Sequence, residues 1–224
     1  MGVQVTSRVY PLRLPLEPDE RRGWKPYPVF SGTLGGRPST CHVSVLIPGC
    51  SPHAPHSHAE EELLLVLSGE VDLLFSRREP TRLPAGEFVY YPAHFSHTLQ
   101  TTSTEPATYL IFKWRGEPAA DRDGALPFGR FDTAGPPGLL FQAPTRHLGK
   151  LHSHVSVLEP GDGYPPHTDA YDVAIVVLTG EVETIGARAE PYDVIYYLAG
   201  EAHGMRNVGD VAARYVVFEF HGRG

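Results

Sequence analysis

The chain has 224 residues, 41% hydrophobic and 20% charged, a length that suits one large domain or two small ones. Its net charge of −7 removes the phosphate-neutralising term on which nucleic-acid binding depends, so no nucleic-acid partner is expected. The 23 Gly and 22 Pro are spread between short apolar runs, the pattern of many turns rather than of disorder.

Residues 1–36 are proline-rich and read as an N-terminal arm lying against one barrel or a partner subunit. The opening MGVQVTSRVYPLRLPLEP is broken by prolines and has no long apolar run, so neither a signal peptide nor a membrane anchor is expected, and the default location is the cytoplasm. A first set of short strands is predicted at roughly 40–47, 62–67, 70–75, 87–92, 97–102 and 108–114, within a unit spanning 37–116. Cys41 and Cys50 lie at opposite ends of the first of these strands, about 30 Å apart at ~3.3 Å per residue, too far to bridge. Arg77-Arg78 reads as a hairpin turn. Residues 117–145 form a linker with a peripheral strand or turn, and a second unit, 146–224, carries strands at roughly 152–158, 172–178, 181–185, 193–198, 203–208 and 212–220. No helical apolar period of useful length interrupts this, so the fold class is all-β, a small sandwich or jelly roll built twice.

The duplication is visible in the letters. His42-Val-Ser-Val-Leu-Ile-Pro-Gly49 returns 112 positions later as His154-Val-Ser-Val-Leu-Glu-Pro-Gly161, and Leu67-Ser-Gly-Glu-Val71 returns 111 positions later as Leu178-Thr-Gly-Glu-Val182. Tyr90-Tyr91 and His97 match Tyr196-Tyr197 and His203 at an offset of 106. The offset shrinks only across loops, where insertions are tolerated.

The first copy carries His56-Ser-His58-x3-Glu62-x6-Gly69, then Gly86-x5-Pro92-x4-His97. His56 and His58 stand two apart, as same-face strand positions do; Glu62 shares a face with Leu64 and Val66, and His97 with Leu99 and Thr101. Barrel closure would bring all four to one interior point. Three imidazoles and a carboxylate suit one divalent ion among Fe, Mn, Ni, Cu and Zn, with Fe or Mn favoured, and a six-coordinate ion would keep two positions open. On these residues the sequence resembles the cupin superfamily, whose motifs are G-x5-H-x-H-x3,4-E-x6-G and G-x5-P-x-G-x2-H-x3-N. The resemblance covers most of both halves and implies two tandem cupin barrels, the first holding a metal through His56, His58, Glu62 and His97.

His94 stands where the second motif has Gly, and Thr101 where it has Asn. His94 reads either as an exposed turn histidine or as an acid–base group at the pocket mouth, and it is the one candidate catalytic residue. In the second copy the motif reads His167-Thr-Asp169-x3-Val173, then His203-x3-Asn207. Val173 replaces the glutamate and Asp169 the second histidine, so this barrel is expected to have lost its ion; His167, Asp169 and His203 remain a possible weak two-His, one-carboxylate site. Asp172 is one register off and should point outward. Glu60 and Glu61 read as charges near the barrel mouth, the match of His42 with His154 follows from the repeat, and Tyr90-Tyr91 and Tyr196-Tyr197 should each place one ring inward.

The function implied is a metal-dependent two-barrel enzyme acting on a small, oxygen-rich substrate that chelates the ion, foremost a non-haem dioxygenase. An isomerase, lyase or hydrolase of the same fold, or a binding module that performs no chemistry, are the alternatives. A homodimer is expected, because open barrels leave edge strands that need covering.

Overall fold

The computed structural model describes residues 4–34, 37–75, 79–116 and 124–222; the Arg77-Arg78 turn lies outside them. Among the described residues the chain forms 19 strands, and no helix is long and apolar enough to cross a membrane. The first barrel pairs a six-stranded sheet with a three-stranded one. Its large sheet runs β10 (Gly129–Asp132), β7 (Glu87–Tyr91), β4 (Glu61–Ser68), β9 (Ala107–Trp114), β3 (Arg37–Leu46), β2 (Trp24–Leu34); its small sheet runs β6 (Thr81–Pro84), β5 (Glu70–Leu74), β8 (Thr98–Gln100). The second barrel has a large sheet of β1 (Arg8–Tyr10), β17 (Val194–Tyr197), β14 (Asp172–Thr179), β19 (Ala213–His221), β12 (Lys150–Leu158), β11 (Gly138–Ala143). Its small sheet runs β13 (Gly163–His167), β18 (His203–Asn207), β15 (Val182–Thr184), β16 (Ala187–Ala189).

Each half lends its first strand to the other. β1, from the N-terminal segment, adds to β17 of the second barrel with Val9 opposite Ile195. β10, from the segment read as a linker, adds to β7 of the first barrel with Arg130 opposite Val89. The next strand of each half, β2 and β11, returns to its own barrel. The edges of β17 and β7 are thus covered by strands of the same chain, and β1, β11, β10 and β2 form the outer edges of the two large sheets. β2 escapes sequence detection because Pro26 and Pro28 interrupt it; it lies at the sheet edge, where a residue without an N–H is tolerated.

Strand alternation divides the apolar residues into three clusters. Leu64, Val66, Val89, Tyr91 and Ile111 fill the first barrel, and Val173, Ile175, Val177, Tyr197 and Val217 the second. The residues between them, Leu63, Leu65, Phe88, Phe112 and Trp114 on one side and Ala174, Val216, Phe218 and Phe220 on the other, form the largest cluster, where the two large sheets pack face to face. Phe88 meets Phe218 edge-on at 5.1 Å and Trp114 meets Phe220 at 5.3 Å. The tight turns opening β5 and β15 share a device: Gly69 and Gly180 have φ of 72° and 73°, and a Cβ would lie 2.7 Å from Pro106 O and 2.6 Å from Ala213 Cα.

Glu61 belongs to the central layer, which corrects its reading as a mouth charge. It is fully buried, because residue 61 faces the sheet interface when residue 62 faces the barrel. Its carboxyl oxygens accept hydrogen bonds from Trp114 Nε1 (2.7 Å), Tyr90 Oη (3.0 Å), Thr145 Oγ1 (2.7 Å) and the backbone N–H groups of Arg146 (2.7 Å) and His147 (3.2 Å). Residues 145–147 precede β12, so this carboxyl fastens the second half of the chain to the first. Asp172, the repeat partner of Glu61, is likewise turned out of its barrel and buried, and it accepts from Ala199 N at 2.7 Å.

Candidate metal centre

Two loops and one strand bring the sequence-predicted residues of the first barrel together. His56 and His97 are held opposite each other by a two-way backbone pair, His56 N to His97 O at 3.2 Å and the reverse at 3.0 Å. His58 follows two residues on, and Glu62 points inward from the start of β4. The ligand atoms of His56, His58 and His97 all lie within 4.8 Å of one another. Glu62 Oε2 is 3.2 Å from His58 Nε2 and 3.8 Å from His97 Nε2. His58 and His97 donate their Nδ1–H groups to the carbonyls of Glu60 (3.1 Å) and Phe95 (2.8 Å), which turns both Nε2 atoms toward Glu62. The His97 ring is also clamped by Tyr91, stacked at 4.2 Å and 12°. Tyr91 is thus the inward member of its pair, while Tyr90 faces the sheet interface.

The surroundings shift the titration of Glu62, His56 and His97 downward. Burial would push the Glu62 carboxyl up, but the His58 hydrogen bond and the Lys113 and His97 charges outweigh it and bring it down to about 2. His56 is lowered to about 4 by burial and then by the neighbouring imidazoles of His53, His97 and His58. Burial also lowers His97, against the pull of Glu62. The donor set and the anchored Nδ1 atoms of His58 and His97 fit a divalent cation of the kind the sequence indicates.

One residue at this site went unnoticed in the sequence. Lys113, directly opposite Glu62 in the β4–β9 register, places Nζ 2.9 Å from Glu62 Oε2 and 3.3 Å from His58 Nε2. Its parity with Tyr109 and Ile111, both inward residues, was the available signal. Lys113, Glu62, His56, His97 and His42 line a cavity of about 160 Å³. His42 therefore faces the interior, where burial lowers it to about 4.

His94 lies elsewhere. It is exposed, does not line the cavity, and has a left-handed backbone with φ of 64°, its N–H donating to His58 O at 2.7 Å. The repeat puts Gly200, φ 80°, at the same turn, which explains the glycine of the motif: a Cβ is strained there. Thr101 replaces the motif Asn with a similar lock, donating to Glu70 O at 3.0 Å, where Asn207 donates to the carbonyls of Leu158 and Val211. We expect His94→Gly to stabilise the protein by about 1 kcal/mol and to leave metal content unchanged. A lower melting temperature, or a lost ion, would give His94 a role at the site.

In the second barrel His167 and His203 pair across β13 and β18, and Asp169 Oδ2 lies 3.7 Å and 3.4 Å from their Nε2 atoms. Tyr197 stacks on His203 at 3.9 Å and 13°, repeating the clamp of the first barrel. Here Val173 faces Glu219 where Glu62 faces Lys113. The surrounding cavity is about 500 Å³ and reaches from Tyr164 to Glu219.

Two barrels of this topology, each with imidazoles and a carboxylate converging inside, define a two-barrel cupin architecture. Residues 42–113 match the cupin domain family. No curated protein matches the sequence. Among solved structures, the chain is similar to the putative glyoxylate-induced protein of Pseudomonas aeruginosa (15% identity, 90% of this chain and 81% of that one, TM-score 0.70). It is also similar to the bacterial pirin YhhW of Escherichia coli in complex with nickel(II) (18%, 86% and 95%, TM-score 0.61). Oxalate decarboxylase of Bacillus subtilis aligns at 13% identity over 96% of this chain and 75% of that one, TM-score 0.62. At these identities the likeness concerns the fold.

Proposed function

We propose that the first barrel binds a divalent metal ion through His56, His58, Glu62 and His97, and that the protein is a metal-dependent enzyme acting on a small, oxygen-rich acid, foremost as a dioxygenase. The observation that carries this reading is the convergence of three imidazoles and one buried carboxylate at the wall of a small pocket. Fe or Mn is the preferred ion, with Ni, Cu and Zn suited to the same donors. When bound, such an ion supplies Lewis acidity and, if iron, oxygen chemistry.

The residues of the chain restrict what can enter. A cavity of about 160 Å³ equals the share of roughly five waters in the liquid, room for an acid of a few heavy atoms. Lys113 supplies the matching charge: an ion would draw the Glu62 carboxylate to itself and leave the ammonium free to pair with a substrate carboxylate. The apolar walls of Leu99, Tyr109 and Ile111 exclude water from the far side. Two of the similar structures carry the names of two-carbon acids, oxalate and glyoxylate, which supports the same size class. The oxalate decarboxylase likeness favours a lyase that releases CO₂ as the second reading.

Metal analysis of anaerobically purified protein, followed by a screen of two- to four-carbon acids for oxygen uptake and CO₂ release, tests the proposal. Turnover is expected only with the ion present. Small acids that raise the melting temperature yet are never consumed would make this a binding module instead.

A further inference from the structure

The second barrel lacks the motif glutamate, yet its interior has not lost a carboxylate. Glu219 stands in the register position that Lys113 holds in the first barrel, so the acid has moved one strand over and the ammonium is gone. Glu219 is paired in register with His152 of β12, and His154 lies two residues along the same strand and face. His152 Nε2 is 2.9 Å from His154 Nδ1 and 3.8 Å from Glu219 Oε1, and one ligand atom from each of the three lies within 4.8 Å of the others. In the first barrel the residue at the place of His152 is Thr40, so this cluster has no counterpart there.

We propose that the second barrel holds a divalent transition-metal ion of its own, bound by His152, His154 and Glu219 rather than by the degenerate motif residues. Two nitrogens and one carboxylate oxygen form a donor set for Zn, Ni, Cu or Fe. His152 is already oriented for it: Nδ1 donates to Gln142 Oε1 at 3.0 Å, which leaves the Nε2 lone pair facing His154 and Glu219. The second carboxylate oxygen of Glu219 is 2.8 Å from His221 Nε2, which fixes the acid from its other side, and the His221 ring rests on Tyr171 at 3.7 Å. Three protein ligands leave positions open on the ion. His154 and Glu219 line the cavity of about 500 Å³ while His152 and His221 stand behind them, so the open positions face the cavity. That space is about three times that of the first barrel and takes a larger ligand. The expectation of a single ion per chain becomes one of two, at inequivalent sites.

The test uses the full chain with the first site dismantled, as Glu62→Ala/His97→Ala, stripped with a chelator and titrated calorimetrically with Ni(II) or Zn(II). One ion per chain is expected to remain. Adding Glu219→Gln or His154→Ala should weaken it by at least about tenfold, whereas adding Asp169→Asn should leave it unchanged. Cu(II) bound to the same background should show coupling to two nitrogens, one of which disappears with His152→Ala. His152 is only partly buried, so this last variant decides the matter if Glu219→Gln does not fold. The proposal is overturned if no ion remains in the background, if the ion survives both Glu219→Gln and His152→Ala, or if it is lost with Asp169→Asn, which would place it at the motif position.

Discussion

Glu61→Ala is expected to destabilise the protein by about 3–5 kcal/mol, which for a chain of this size is a fall in melting temperature on the order of 10 °C. The substitution removes an acceptor from five donors, three of them buried side-chain groups: Trp114 Nε1, Tyr90 Oη, Thr145 Oγ1 and the N–H groups of Arg146 and His147. Each buried donor left unmade costs about 1–3 kcal/mol, and partial collapse recovers some of that. Glu60→Ala is the control, since Glu60 is one residue away but its side chain is 36% exposed. Thermal and chemical denaturation of the two variants side by side checks the claim. Equal, small losses would mean that the carboxyl contributes little across the sheet interface.

The second large effect falls on the metal and spares the fold. Glu62→Ala is expected to empty the first site, because it removes the one anion among the four ligands. The apolar filling of the barrel, Leu64, Val66, Val89 and Ile111, does not depend on that side chain, and Lys113, 26% exposed, can turn its ammonium to water. Metal analysis should show one ion fewer than in the unsubstituted protein, with far-UV circular dichroism unchanged. Chelation should lower the melting temperature only by the linkage expected when a ligand leaves the folded state. A protein that unfolds outright on either treatment uses its ion as a structural cross-link, as zinc fingers do.

Much of this was legible in the sequence because strand parity and a duplicated motif are both local signals. The motif spacing alone gathered His56, His58, Glu62 and His97, and the structure brings them together. Parity also marked Leu64 and Val66 as inward. What stayed hidden depends on pairing between distant strands. Lys113 sits in an apolar run and acquires meaning only when β9 is laid against β4, opposite Glu62. Glu61 looks like any acid beside another until the second sheet covers it. His152 and Glu219 are 67 positions apart, and only the β12–β19 register makes them neighbours. Proline hid β2, since a proline-bearing edge strand has no alternating pattern strong enough to read, and the exchanged strands β1 and β10 are only three and four residues long.

That exchange has a consequence for how the molecule is made. During synthesis β1 leaves the ribosome first, yet its partner β17 follows only after more than 180 further residues. The first barrel, meanwhile, cannot gain its outer strand until Asp132 has emerged. Neither half can close as it is born; each waits with an unpaired margin for a piece held by the other, and such long-range closure is slow. A cut placed between the repeats would thus yield two fragments that each carry the other's missing strand, built to reassemble as a pair.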